Sequence, residues 1–232
     1  ELYTGIDVGF SSLCYQKEST FAFIADVVDE LAALTPGPFL HIGGDEALST
    51  PHEEYVGFIT RIQQIVRARG KRMIGWEEIA QAHLDSTSVA QYWSNQQHAK
   101  DAAAQGAMII LSPATRVYLD MKYDSTSVFG QDWAGLTSVE KSYQWLPDTV
   151  VSETWQHLVL GIEAPLWSET ITHLDEAEYL AFPRLPGIAE LAWTNSNKRT
   201  WSDYRQRLGR HAKRFDAWGI HYFRSPEIEW QN

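Results

Sequence analysis

Short runs of β-branched and apolar residues alternate with stretches of helical periodicity along this chain. When a helix separates two strands it returns the chain to its starting edge, so the strands pair in parallel and the product is an α/β fold. Five strands are predicted, over 39–42, 72–76, 88–93, 108–112 and 158–164. Helices are expected over 20–34, with Ile24, Val27, Val28, Leu31 and Leu34 at helical spacing, and over 95–105. Another is expected to open at Thr50, with Pro51 in its first position and Glu53 completing a capping box. Arg67, Arg69 and Gly70 mark its end. Trp201, Tyr204, Leu208, His211, Phe215 and Trp218 predict one face of a final helix. The segment 113–155 reads as irregular, and an irregular segment of that length is usually functional.

Acidic and aromatic residues gather just after the predicted strands: Asp45 and Glu46, Trp76, Trp93, Trp167 and Glu169. Active sites of (β/α)8 TIM barrels are built at that end of the strands. The expected fold is therefore of the TIM-barrel family, with this chain supplying about five of the eight βα units. Composition bounds the function. A formal charge of −11 argues against nucleic acid or an anionic membrane surface as partner. No apolar run reaches the ~20 residues needed to span a bilayer. A single cysteine, Cys14, excludes an internal disulfide and a cysteine-based metal cluster. Ten Trp, ten Tyr and nine Phe suit either a Trp-rich core or a site that stacks flat sugar faces, and composition does not separate the two.

Asp45 and Glu46 follow His41-Ile42-Gly43-Gly44 at the end of a buried strand. Glycines at a strand end relax the alternation of faces, so both carboxylates can point the same way. Two close carboxylates disfavour joint ionisation; one then keeps its proton and can serve as a general acid. A turn carrying two solvated acids satisfies the same spacing. A phosphate loop is excluded, because it needs Lys and Ser/Thr where two anions stand. No H-E-x-x-H zinc pattern occurs, and no metal or cofactor is implied. Cyclic-dinucleotide synthases also carry Gly-Gly-Asp-Glu, but continue with Phe on a hairpin; here Ala47 and a capped helix follow.

The run from His41 to Glu46 resembles the H-x-G-G-D-E signature of family 20 glycoside hydrolases, the β-N-acetylhexosaminidases. Gly75-Trp76-Glu77-Glu78, Gln91-Tyr92-Trp93, the run from Tyr118 to Tyr123, the run from Glu163 to Glu169 and Phe182-Pro183-Arg184-Leu185 resemble later motifs of that family, in order. The likeness is to bacterial, actinobacterial-type members. It implies exo-hydrolysis of terminal N-acetylhexosamine without a protein nucleophile, the substrate's acetamido oxygen attacking C1. By resemblance Glu46 is the acid and then the base, Asp45 orients the acetamido group, and Tyr118 hydrogen-bonds its oxygen. Trp76, Trp93 and Trp167 match the aromatic walls, and Asp120 and Glu169 match acids that bind sugar hydroxyls. His41 is expected to pack, Trp133 to border the leaving group, and Glu77 and Glu78 receive no role.

In the family the Asp-Glu pair ends the fourth barrel strand. Its position here predicts that the first three strands and a preceding α+β domain are absent, along with an arginine, an acid and a histidine that they carry. Glu1 opens the sequence without an initiator Met or a secretory leader pattern, so a processed chain or a piece of a longer one is expected. An open arc of strands invites completion by a second polypeptide or another copy. A weakly sugar-binding, lectin-like fragment and a structural remnant are the alternative expectations. Partners are expected to be oligosaccharides ending in N-acetylhexosamine. Family habit points to a secreted or periplasmic location.

Overall fold

The computed structural model describes residues 3–231. Its elements run α1 (Glu18–Leu34), β1 (Phe39–His41), α2 (His52–Ala68), β2 (Arg72–Trp76), β3 (Val89–Tyr92), α3 (Gln96–Ala104), β4 (Met108–Leu111), α4 (Ala114–Val117), α5 (Val139–Tyr143), β5 (Val159–Ile162), α6 (Leu174–Ala181), α7 (Arg184–Trp193), α8 (Trp201–Gly209) and α9 (Ala212–Trp218). The strands form a five-stranded sheet in the order β1-β2-β3-β4-β5. β1 pairs with β2 and β2 with β3 in parallel, with Phe39 opposite Arg72 and Ile74 opposite Val89. All five predicted strands are present, so the α/β class stands. Among the described residues no helix is long and apolar enough to cross a membrane.

The chain divides into two compact units. The first comprises the described residues up to Ile110 together with Val150–Leu160. Its core is one face of α2, where Ile59, Ile62 and Val66 are buried, with Met73 of β2 and Val89 and Ala90 of β3. The expected apolar stripe of α1 is only partly covered: Phe21 and Val28 are buried, whereas Val27, Leu31 and Leu34 stay exposed. Ile24, Val27, Leu31, Leu40, Ile42 and Phe58 border an apolar cleft of about 380 Å³.

The second unit comprises Leu111–Thr149 and the described residues from Gly161 onward. Arg184, the first residue of α7, is buried at its centre. Its Nη1 donates to the Thr137 carbonyl at 3.1 Å, and its Nη2 donates to the carbonyls of Leu119 at 2.5 Å and Leu180 at 2.9 Å. The guanidinium lies 3.9 Å from the Tyr123 ring centroid. Carbonyl dipoles and an aromatic face thus meet a charge that would otherwise be costly to bury.

Three local expectations are corrected. Thr50 does not cap α2: Pro51 holds the cap position without a side-chain bond, and the Thr50 hydroxyl donates to Ser12 Oγ at 3.1 Å. The final helix is two. Arg210 and His211 interrupt it between α8 and α9, and Trp218 at its end is exposed rather than on a buried face. The stretch 113–155 contains the short helices α4 and α5 and short 3-10 turns, because Ser138 supplies a side-chain cap to the Lys141 N–H and the turns need no periodic stripe.

Candidate active site

The first unit carries the acid pair. After β1 the backbone turns through Gly43 (φ 74°) and Gly44 (φ 98°) into Glu46 (φ 50°), the one non-glycine residue with positive φ among those described. The turn is pinned to β2: the Ile42 N–H donates to the Ile74 carbonyl, and the Trp76 N–H donates to the Gly43 carbonyl, both at 2.9 Å. A Cβ at Gly44 would stand 2.8 Å from Ile79 Cγ2. Only glycine satisfies both that dihedral and that approach. The Tyr55 hydroxyl on α2 donates to the Gly44 carbonyl at 2.5 Å, which fixes the turn from the far side.

Asp45 is exposed and Glu46 half-buried. Burial raises the Glu46 pKa, and the Asp45 charge raises it further. Glu46 therefore holds its proton to a higher pH than an isolated glutamic acid. The His41 ring meets Trp76 edge-on, centroids 5.3 Å apart, and His41 Nδ1 accepts from the Gly43 N–H at 3.1 Å. Packing is the role expected of it.

Glu77 and Glu78 are the residues that sequence reasoning passed over. They open the 3-10 turn Glu77–Gln81 directly after β2. Glu77 is fully buried, and its carboxylate accepts the backbone N–H groups of Trp93 (2.8 Å), Ser94 (3.1 Å) and Asn95 (2.5 Å). Burial outweighs those three donors and pushes the Glu77 pKa up to about 7. Glu78 accepts from the Trp93 indole Nε1, at 3.3 Å through Oε1 and 3.2 Å through Oε2. Its Oε1 also accepts from the Glu46 N–H at 3.4 Å. Burial raises the Glu78 pKa despite these bonds. Nothing in the spacing of two acids announces these partners; only the return of β3 beside β2 creates them.

The second unit carries the remaining candidates. Tyr118 is buried after α4, with the Trp167 ring centroid 5.9 Å away and that of Trp133 6.0 Å away. The Leu119 N–H donates to the Pro165 carbonyl at 2.8 Å, tying the Tyr118–Asp120 segment to the one that ends in Trp167. Asp120 is fully buried, and neither of its carboxylate oxygens has a hydrogen bond within the described protein. Its pKa is raised by burial; the nearby backbone N–H groups of Asp120 and Trp167 and the Arg184 charge oppose this, while the Glu169 charge adds to it. Trp133, Trp167 and Glu169 are exposed. Asp45, Glu46, Trp76 and Trp93 thus lie within one unit, and Tyr118, Asp120, Trp167 and Glu169 within the other.

Comparisons with known proteins identify the family of the chain. The model of the glycosyl hydrolase family 20 catalytic domain matches residues 3–56 and 47–196. A β-N-acetylhexosaminidase of Cellulomonas fimi is 41% identical over 99% of this chain and 47% of its own length. The structure of Streptomyces plicatus N-acetyl-β-hexosaminidase in complex with thio-NAglucal superposes with a TM-score of 0.93 at 45% identity, covering 100% of this chain and 48% of that one. A family 20 exo-β-N-acetylglucosaminidase of Vibrio harveyi in complex with N-acetylglucosamine gives a TM-score of 0.82 at 32% identity, over 92% of this chain and 37% of that one. The chain spans about half the length of the first two relatives. On the family match, and on strand-end motifs that stand in the family's order along a parallel α/β sheet, the chain belongs to glycosyl hydrolase family 20.

Proposed function

We propose that this chain carries catalytic residues of an exo-acting β-N-acetylhexosaminidase that removes terminal non-reducing GlcNAc or GalNAc by substrate-assisted, retaining catalysis. The observation that supports this most is the acid pair itself: a half-buried Glu46, its pKa raised by burial and by Asp45, held on a glycine turn at a strand end. Glu46 gives its proton to the leaving glycosidic oxygen as the C1–O bond breaks. The acetamido oxygen closes on C1, and Asp45 orients the acetamido N–H and offsets the developing positive charge. Water then adds to C1, Glu46 takes its proton, and the acetamido group is restored. Tyr118 hydrogen-bonds the acetamido oxygen; Trp76, Trp93 and Trp167 enclose the sugar; Asp120 and Glu169 bind its hydroxyls. The relatives' names support the substrate class.

Release of 4-nitrophenol from 4-nitrophenyl N-acetyl-β-glucosaminide tests the reading, with Glu46→Gln as control. We expect kcat to fall by about 10²-fold or more in the variant. The loss should be larger on N,N′-diacetylchitobiose, whose leaving group needs the proton more. Equal turnover by the two proteins would refute the assignment.

We further infer that the sheet is completed beyond β1 by additional strands, from a longer protein of which this chain is a part, from a further polypeptide or from another copy. β1 ends the strand order, and the apolar cleft beside it leaves Val27 and Leu31 exposed. Light scattering coupled to size exclusion tests completion between chains on the 26.4 kDa chain; a monodisperse monomer would rule out a second polypeptide or another copy.

A further inference from the structure

The carboxylate of Glu78 stands between two groups to which the proposed reaction assigns separate tasks. On one side it accepts the Trp93 indole N–H, and on the other the backbone N–H of Glu46. The adjacent Glu77 grips the main chain at the end of β3 through three N–H groups, beginning with that of Trp93. The dipeptide thus holds Trp93 by its backbone and by its ring, on two different carboxylates. An indole has one donor, and two χ angles decide where its ring lies. With the backbone held by Glu77, the bond to Glu78 constrains the ring's orientation.

We propose that Glu78 is a positioning residue: it aims the Trp93 ring and anchors the backbone of Glu46 on one carboxylate, so that the sugar wall and the acid keep a fixed relation. This rests on the hydrolase reading above. A residue serving stability alone would be poorly chosen here. The carboxylate is half-buried, and Asp45 repels its charge. A neutral amide of equal size would escape that repulsion, but it offers the Trp93 indole N–H one oxygen where Glu78 offers two.

The test is Glu78→Gln, isosteric and neutral. Its amide oxygen, in the place of Oε1, can still accept from both, but its NH2 takes the place of Oε2 and turns a donor against the Trp93 indole N–H, so the bond to the ring weakens. The expected result is a fall of about tenfold in kcat/KM on 4-nitrophenyl N-acetyl-β-glucosaminide, the size expected from one charge-assisted bond. The Trp93 indole N–H resonance, assigned with Trp93→Phe, should move upfield in Glu78→Gln and keep its position in Glu77→Gln. The effects of Glu78→Gln and Trp93→Phe should be less than additive, because each removes the same bond. Additive losses, or an indole resonance unmoved in Glu78→Gln, would overturn the proposal. A wild-type chain without turnover would instead defeat the hydrolase reading, and the indole resonance would still decide whether Glu78 aims the ring.

Discussion

Gly44 brings the acid pair to its place at the cost of tolerating no side chain. Its φ of 98° and the 2.8 Å approach to Ile79 both exclude a Cβ. Gly44→Ala is expected to destabilise the chain by about 2 kcal/mol and to displace Asp45 and Glu46. A lowered melting temperature, together with loss of hydrolysis larger than unfolding accounts for, would confirm it. The sequence His41-Ile42-Gly43-Gly44-Asp45-Glu46 made this turn legible, because glycines before two acids have few other uses. Glu77 was not legible, because its partners lie across the sheet. Its pKa of about 7 in the folded chain exceeds the ordinary 4.5. Below pH 4.5 both folded and unfolded chains hold the proton. Between 4.5 and about 7 the unfolded chain releases it first, so Glu77 makes stability decline as pH rises, by about 3 kcal/mol in all, and no further above that. Glu77→Gln should flatten this part of the curve in urea titrations between about pH 4 and 8. A slope equal to that of the wild type would contradict the assignment.

At the scale of elements, periodicity located what it governs and missed what it does not. All five strands were legible as apolar runs between helices, and α3 as a helix behind Asn95. Caps depend on single hydrogen bonds, which periodicity does not register. Asn95 caps α3 by accepting the Gln97 N–H at 3.0 Å, while Thr50 spends its hydroxyl on Ser12. Asn95→Ala should therefore cost about 1 kcal/mol, whereas Thr50→Ala should stay within about 0.5 kcal/mol. Chemical denaturation of the two variants side by side checks the difference; equal losses would restore Thr50 as a cap. The single final helix failed for another reason. Apolar residues continue in phase through Arg210 and His211, so the break between α8 and α9 leaves no mark on the pattern.

For the whole molecule, the class of fold followed from alternation alone, and the family from motifs in order. The interior of the second unit did not. Arg184 could be seen as part of a motif, but not as the buried centre on which Leu119, Thr137 and Leu180 converge. Two of those carbonyls lie 65 and 47 positions back along the chain. That separation has a consequence in time. The guanidinium cannot dock until long loops have closed and all three acceptors are in place, so its bonds belong to the last steps of folding. Arg184→Met strands the carbonyls of Leu119 and Thr137, while that of Leu180 keeps the Tyr123 hydroxyl, and the loss should appear almost wholly in the rate at which the native chain comes apart. Unfolding is expected to quicken by about 10²-fold or more while refolding keeps its pace. Stopped-flow kinetics across a denaturant series would show this as a shift in one arm of the chevron. Movement of the refolding arm would instead place Arg184 in the nucleus, and the second unit would then assemble around its charge from the start.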